Sequence, residues 1–135
     1  MLVEYSTEDT LEEKETIELY HSVNWSSAEK PDQLLPALKN AHTLVTARVG
    51  GKLIGLGNAI SDGHLVVYYP HLLVHPDYQN KGIGIELMRR LQAKYKSFHQ
   101  QMLTADQHAT AFYANLGFRR AGKTEPMWIY GGNDH

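Results

Sequence analysis

Two glycines, Gly82 and Gly84, join a polar loop to an amphipathic helical pattern, and this junction constrains the chain more than any other segment. Before the loop, residues 65–74 are rich in Val, Leu and Tyr and predict a strand, which ends at residues 75–77 (His-Pro-Asp). After the glycines, apolar residues recur every three or four positions, as on one face of a helix. A strand, a loop and a helix in this order are typical of an α/β domain.

The first turn of a helix presents unpaired backbone N–H groups and the positive end of the helix dipole, and both favour phosphate. Glycine at positions 82 and 84 lets a ligand approach the backbone, and Lys81 adds a positive charge. Residues 79–84 therefore predict a site for a phosphate-bearing ligand. The P-loop pattern is absent, and a dinucleotide fingerprint would need glycine where Leu87 stands. A glycine-capped loop without a ligand is the competing interpretation.

The remaining pattern predicts one mixed α/β domain with a single central sheet. The polar residues Thr7, Glu8 and Asp9 predict the start of a first helix, and Pro31 suits the first turn of a second helix. The other predicted elements are strands at 2–5, 43–49, 52–60, 65–74 (interrupted at Pro70), 102–104, 118–121 and 127–130, and a helix at 106–116.

Composition excludes several classes of protein. The 135 residues fit one domain, with residues 131–135 expected to be a disordered tail. A net charge of −2 provides no overall field for nucleic acid or an anionic membrane. The absence of cysteine excludes disulfides and a cysteine nucleophile. With neither a signal peptide nor a long apolar stretch in view, we expect a cytoplasmic protein. The histidines at 42, 64, 99 and 108 lack metal-ligand spacing, so no metal is expected.

Three linked motifs carry a family resemblance. A Gln/Arg-x-x-Gly-x-Gly/Ala loop follows a strand ending Leu-x-Val-x-Pro, and an Ala-x-x-Phe-Tyr-x-x-x-Gly-Phe segment comes later. Together they resemble the GNAT superfamily of acetyl-CoA-dependent N-acetyltransferases, over roughly residues 3–130. The matching residues are Gln79, Gly82 and Gly84; Leu72, Val74 and Pro76; and Ala109, Phe112, Tyr113, Gly117 and Phe118.

The resemblance implies an α/β (α+β) fold, in which about four helices flank a mixed central sheet of about six to seven strands. It implies that acetyl-CoA, as co-substrate, lies in a V-shaped gap between the strand at 65–74 and the strand at 102–104. It further implies that Tyr113 protonates the leaving thiolate of CoA. The residues expected to bind acetyl-CoA are Leu73, Val74, Gln79, Asn80, Lys81, Gly82, Ile83, Gly84 and Asp106. Asp106 also suits a helix N-cap.

The acceptor side is less defined. Trp25 lies in the region that commonly forms one wall of the acceptor site in this family, although an aromatic closing the core edge explains it equally well. At the position where some relatives carry a Glu or His base, this chain has Tyr68, and a neutral tyrosine is a poor base at pH 7. His71, on the same strand, is the other candidate base. A chain of water molecules is the alternative to both.

The resemblance thus implies a transferase that passes acetyl from acetyl-CoA to a primary amine by direct attack. The compact chain favours a small-molecule amine as acceptor. A protein N-acetyltransferase and a non-catalytic, acetyl-CoA-binding regulatory module are the alternatives. Nucleic acid and membrane are not expected partners, and a homodimer is compatible with the resemblance.

Overall fold

The computed structural model describes residues 1–7 and 11–134, and its centre is a six-stranded mixed sheet. The strand order is β1-β2-β3-β4-β6, with β5 beside β3. The pairings are antiparallel except for β4 with β6, which is parallel. The strands are β1 (Glu4–Thr7), β2 (Thr43–Val49), β3 (Lys52–Ser61), β4 (Val66–Tyr68), β5 (Leu72–Val74) and β6 (Gln100–Met102).

Four α-helices flank the sheet in the described part of the chain. They are α1 (Glu13–Ser22), α2 (Pro31–Lys39), α3 (Ile83–Ala93) and α4 (Thr110–Ala114). Short 3-10 helices cover Ser26–Glu29, Pro76–Tyr78 and Gln107–Ala109. None of the helices in residues 1–7 and 11–134 has both the length and the apolar character that a membrane span requires.

Each face of the sheet carries its own apolar core, because side chains alternate between faces along a strand. On one face, α1 and α2 pack over Leu44, Leu56 and Leu73. On the opposite face, α3 packs over Val45 and Val67. Ile83, Leu87 and Leu91, the row predicted from the helical spacing, are all buried there. This confirms the interpretation of the helix that follows the two glycines.

Several predicted elements agree with the structure. The strand at 43–49 has the predicted bounds, the next strand extends one residue further, and α2 begins at Pro31. The first strand lies two residues later than predicted, and β6 lies two residues earlier. The predicted helix at 106–116 divides into a 3-10 turn and the shorter α4. Of the predicted helix start at residues 7–9, Thr7 instead ends β1, and Glu8 and Asp9 lie outside the described residues; α1 begins at Glu13.

The two closing strands are the clearest error of the sequence prediction. Residues 118–121 and 127–130 form no strand in the structure. Met127 and Ile129 are 93% and 106% exposed, so neither packs on the sheet. A strand needs a neighbouring strand as well as a suitable local sequence, and this segment has none beside it.

The tail that was expected to be disordered instead contacts the loop after α1. The Ser26 hydroxyl donates to Asp134 Oδ1 at 2.6 Å, and the Ser26 N–H donates to Asp134 Oδ2 at 3.1 Å. Lys30 Nζ donates to the Gly131 carbonyl at 3.0 Å. The described part of the tail, residues 131–134, is therefore held beside the 3-10 helix at Ser26–Glu29.

The interruption predicted at Pro70 is present and separates β4 from β5. Ile60 pairs with Tyr68, whereas Gly57 pairs with Leu72. Between these two pairs the chain advances three residues on β3 but four residues on the opposite segment. The extra residue is a β-bulge, which bends the strand. The Asn58 side chain bridges the irregularity, because its Oδ1 accepts from the His71 N–H at 2.9 Å. The Asn58 backbone N–H donates to the His71 carbonyl at 3.1 Å.

We expect Asn58→Ala to lower the free energy of unfolding by about 1–3 kcal/mol, because it leaves the His71 N–H without its acceptor inside the fold. Urea denaturation measures the change. Asn40→Ala is the matched control, since the Asn40 side chain donates to the Pro36 carbonyl at an exposed position. The control is expected to cost less than about 0.5 kcal/mol. Equal losses in the two variants would show that Asn58 does not brace the bulge.

Candidate active site

The bulge opens a gap in the sheet beside β5. β4 continues into pairing with β6, and the Tyr69 N–H donates to the Met102 carbonyl at 3.0 Å. β5, in contrast, pairs with β3 alone among the described strands. One edge of β5 therefore presents backbone N–H and C=O groups to the space between the diverging strands.

The register shows which residues of β5 face this gap. The His75 N–H donates to the Ile54 carbonyl, and the Asn58 N–H donates to the His71 carbonyl. Hydrogen-bonded and non-bonded pairs alternate along antiparallel strands, so Leu73 directs its backbone groups toward β3. Leu72 and Val74 direct theirs into the gap. The expectation for Leu73 is therefore corrected: Leu72 replaces it as the backbone available to a ligand, and Val74 keeps that position.

The predicted phosphate loop lies at the end of β5 and leads directly into α3. Gln79 Nε2 donates to the Val74 carbonyl at 2.8 Å and closes the loop against the strand. Asn80 and Gly82 have φ of 62° and 82°, in the left-handed region. The Glu86 N–H makes the first helical bond, to the Gly82 carbonyl. The N–H groups of residues 83–85 therefore precede the intrahelical ladder and are directed out of the helix end.

Phe112 of α4 packs beside Gly84 at the start of α3, at a distance that would leave a β-carbon in ordinary van der Waals contact. A β-carbon at position 84 would lie 3.4 Å from Phe112 Cζ and 3.9 Å from Val74 Cγ2. Ile83 is buried in the core, so it anchors the first turn of the helix. Lys81 is exposed beside the loop. Arg90 lies further along the helix and is already engaged, because it pairs with Glu86 at 2.8 Å.

Tyr113 follows Phe112 on α4 and is partly buried. Its ring makes edge contacts with Phe112 and Phe118, with centroids 5.0 and 6.0 Å away. Burial raises the pKa of Tyr113 to about 12, and the negative charge of Asp106 adds to the effect. The phenol is therefore protonated at every physiological pH and is available as a proton donor.

Asp106 precedes the 3-10 helix at Gln107–Ala109. It occupies the N-cap position, but its side chain makes no capping hydrogen bond. Its backbone carbonyl accepts from the Ala109 N–H at 2.8 Å. Its negative charge contributes to the raised pKa of Tyr113. Side-chain N-capping is thus not its role in this structure, and its contact with acetyl-CoA stays a prediction.

Trp25 and His71 meet on the other face of the sheet, together with Tyr20 of α1. The Tyr20 hydroxyl and His71 Nδ1 are 2.8 Å apart. The three rings make edge contacts, with centroid separations of 5.3 to 5.9 Å. Trp25 therefore packs against the core edge and also lies beside the gap, so both roles considered for it are compatible with its position.

Burial makes His71 a weak base. It lowers the pKa of His71 to about 4 and raises the pKa of Tyr20 above its ordinary value. Both side chains are consequently neutral at pH 7, and one hydrogen bond joins them. A base with a pKa near 4 holds a proton poorly at neutral pH, which argues against His71 as the group that deprotonates an amine.

Tyr68 lies on the same sheet face as His71 but belongs to a separate apolar patch. It pairs with Ile60 on β3 and with Met102 on β6, directly before the strands diverge. All three side chains are exposed. Tyr68 thus borders the gap at the point where β4 ends.

The structure therefore brings the predicted residues together in two groups. Val74, residues 79–84, Asp106 and Tyr113 lie toward α3 and α4, whereas Trp25, His71 and Tyr68 lie on the α1 and α2 face. The sequence analysis missed Leu72, because strand direction depends on the bulge, and it missed Tyr20, because its partner is 51 residues away. Within the described ranges, no three His, Asp or Glu side chains are grouped to hold a metal ion.

The acetyltransferase (GNAT) domain family matches residues 7–126, so the chain belongs to this family. It is an acetyltransferase domain with the GNAT fold. A relative described as the uncharacterized N-acetyltransferase ycf52 of Gracilaria tenuistipitata var. liui is 35% identical over 68 residues. That match covers 49% of this chain and 37% of the relative. The ycf52 protein of Pyropia yezoensis is 28% identical over 75% of this chain and 61% of its own length. The chain thus spans less than two thirds of either relative.

Solved structures agree with this assignment. A GNAT-family acetyltransferase from Streptococcus pneumoniae TIGR4 superposes with a TM-score of 0.84 and 25% identity, over 96% of this chain and 99% of that one. An aminoglycoside N-acetyltransferase solved in complex with CoA has a TM-score of 0.69 and 16% identity, over 96% and 93% of the two chains. The second likeness concerns the fold.

The lowered pKa of His71 predicts a loss of stability at mildly acidic pH. Because the unfolded chain binds the proton first, the His71 contribution is complete above pH 6.5. It is lost as the pH falls to about 4, by up to about 3 kcal/mol. Urea denaturation of the wild type and His71→Gln between pH 7 and pH 4 measures it. The wild type should lose more stability than the variant over this range. Parallel curves would show that His71 is not buried as a neutral group.

Proposed function

We propose that the chain transfers the acetyl group of acetyl-CoA to a primary amine on a small molecule. One observation carries the proposal: the free edge of β5 leads into the glycine loop at the start of α3, and Phe112, the residue before Tyr113, packs against that loop. The edge, the loop and the Tyr113 phenol each supply a different interaction that a thioester with a long phosphorylated arm requires. The gap meets the open sheet face at Tyr68, which provides a second entrance for the acceptor.

The residues around the gap fit acetyl-CoA. The backbone groups of Leu72 and the N–H of Val74 match the amides of the pantetheine arm, as in the addition of a strand to a sheet edge, while the Val74 carbonyl accepts from Gln79. The N–H groups at residues 83–85 and the positive end of α3 match the pyrophosphate. Lys81 adds a mobile positive charge beside it. An aminoglycoside N-acetyltransferase of the same fold was solved in complex with CoA, which supports CoA as a ligand of this fold.

When bound, acetyl-CoA supplies an activated acetyl thioester. The chain has no cysteine, so direct attack by the amine replaces any acyl-cysteine route. The new C–N bond forms as the C–S bond breaks. A backbone N–H on the β5 edge stabilises negative charge on the carbonyl oxygen, and Tyr113 donates its proton to the departing sulfur. The phenol then recovers a proton from solvent.

Deprotonation of the acceptor proceeds through water. An alkylammonium has a pKa near 10.4 in water and must lose its proton before attack. His71 is a weak base because of burial, and Tyr68 is exposed at the end of β4. Solvent reaches the open face beside Tyr68, so water relays the proton away. The proposal therefore assigns no protein side chain as the general base.

The missing base also favours a second candidate, a module that binds acetyl-CoA without turning it over. The two candidates make opposite predictions for the release of free CoA thiol in the presence of primary amines. Amine-dependent release identifies the transferase. Tight binding of acetyl-CoA without amine-dependent release over a broad panel of amines identifies the binding module.

Acetyl-CoA should raise the melting temperature of the protein, because a ligand that binds the native state stabilises it. Gly82→Ala should weaken acetyl-CoA binding at least tenfold. The left-handed φ at this position is strained for alanine, and the backbone change that relieves the strain reorients the N–H groups of the loop. Calorimetric titration measures the affinity. Gly51→Ala is the matched control: Gly51, in the β2–β3 turn, has the same φ of 82° and equally open surroundings. Equal affinities for acetyl-CoA in the two variants would show that this loop does not bind the phosphates.

Tyr113→Phe should keep the fold and the affinity for acetyl-CoA but lower kcat about 10²-fold, because the thiolate loses its proton donor. Its raised pKa also places the loss of activity from phenol ionisation near pH 12, so the wild type should show no Tyr113-dependent decline between pH 7 and 10. Steady-state kinetics and calorimetry separate the two effects. Tyr5→Phe, at the opposite edge of the sheet, is the control. An unchanged kcat would make Tyr113 a packing residue.

A further inference from the structure

An apolar cleft of about 440 Å³ lies on the part of the sheet that α1 and α2 leave uncovered. Its lining includes Ile60 of β3, Val66 and Tyr68 of β4, and Gln100 and Met102 of β6. The volume falls within the usual range for small-molecule sites, roughly 300–1,000 Å³. Ile60 and Met102 are 56% and 43% exposed, so the cleft presents apolar surface that a ligand would remove from water.

The cleft is continuous with the gap. Tyr68 and Met102 form the last pair of β4 and β6 before the strands diverge, and both line the cleft. Because Val67 and Tyr69 point toward α3, Tyr68 points to the face on which Trp25 and His71 lie. A molecule in the cleft therefore lies on the acceptor side of the sheet, with one end at the gap.

Charge limits what this cleft accommodates. Asp62 is the charged residue of its lining. Asp62 Oδ1 already accepts from the N–H groups of His64, Leu65 and Val66, at 2.8 to 3.2 Å, and holds the turn before β4. Tyr68, Gln100 and Ser61 are the neutral polar groups of the lining. Away from Asp62, a second ammonium group on the acceptor would lie against Ile60, Val66 and Met102 and lose hydration without a polar partner.

We propose that the acceptor is a primary amine on an uncharged alkyl or arylalkyl body, with the amine at the gap and the body in this cleft. The inference rests on the proposed function and adds its substrate class. Ile60, Val66 and Met102 then determine specificity through apolar contact. Tyr68 lies between the amine of the acceptor at the gap and the alkyl body of the acceptor in the cleft.

A series of linear amines tests the proposal. From ethylamine to hexylamine, kcat/KM should rise about threefold to fourfold for each added methylene, the factor that corresponds to about 0.8 kcal/mol per buried group. 1,5-Diaminopentane is the matched comparison for hexylamine, because a second ammonium replaces its terminal methyl group. The diamine should be at least tenfold poorer. A flat series, or a preference for the diamine, would overturn the proposal.

Two variants test whether the cleft causes the dependence of kcat/KM on the length of the amine. Met102→Ser should flatten the dependence on chain length, with acetyl-CoA affinity unchanged. Leu65→Ser is the matched control, because Leu65 is 53% exposed just before β4 but does not line the cleft. The control should keep the wild-type dependence. Flattening in both variants, or in neither, would place the apolar contact elsewhere.

Binding without turnover separates this inference from the proposed function. In the CoA-saturated protein with ¹³C-labelled Met methyl groups, hexylamine should shift the Met102 resonance, and the affinity should rise along the amine series. Met1 and Met127, both exposed elsewhere, should not respond. A Met102 shift without acetylation of any amine would support the cleft while refuting the transferase. Acetylation without a Met102 shift would keep the transferase and refute the cleft.

Discussion

The two hydrogen bonds between Asn58 and His71 stabilise the irregularity on which the site depends. Pro70 has no N–H to contribute to the ladder, so the strand that contains it cannot pair continuously with β3. The bulge lets β4 stay with β6 while β5 stays with β3. The sheet therefore remains one structure but opens along one seam. The free edge of β5, and with it the whole proposed acetyl-CoA site, exists because the strand is interrupted at this point.

The opened sheet separates two kinds of chemistry. The α3 and α4 side carries backbone donors, the glycine loop and a protonated phenol, all suited to an anionic, phosphorylated molecule. The α1 and α2 side carries neutral aromatic rings and the apolar cleft. His71 is neutral between these regions because burial opposes its charge. In the proposed function, the two substrates therefore approach from opposite faces and meet where β4 ends.

Local patterns were sufficient for the elements whose stability is local. The spacing of Ile83, Leu87 and Leu91 predicted α3, and Pro70 predicted the interruption. The prediction of a closing strand at 127–130 was wrong, because the alternation of apolar and polar residues within a segment does not specify which strand it pairs with. Leu73 was misassigned for a related reason: one inserted residue changes which backbone groups face the gap. The contact of Tyr20 with His71 joins distant segments, and no local signal indicates it.

The packing of Phe112 beside Gly84 joins two parts of the proposed site, the loop for the phosphates and the proton donor. Phe112 reaches the first turn of α3, and the next residue along α4 is Tyr113. A change in the loop therefore reaches the phenol through one aromatic ring. Free-energy effects of substitutions at positions 84 and 113 should not add, because the two sites share a packing partner. In the proposed function, affinity for the phosphorylated arm and the rate of proton donation are consequently linked quantities.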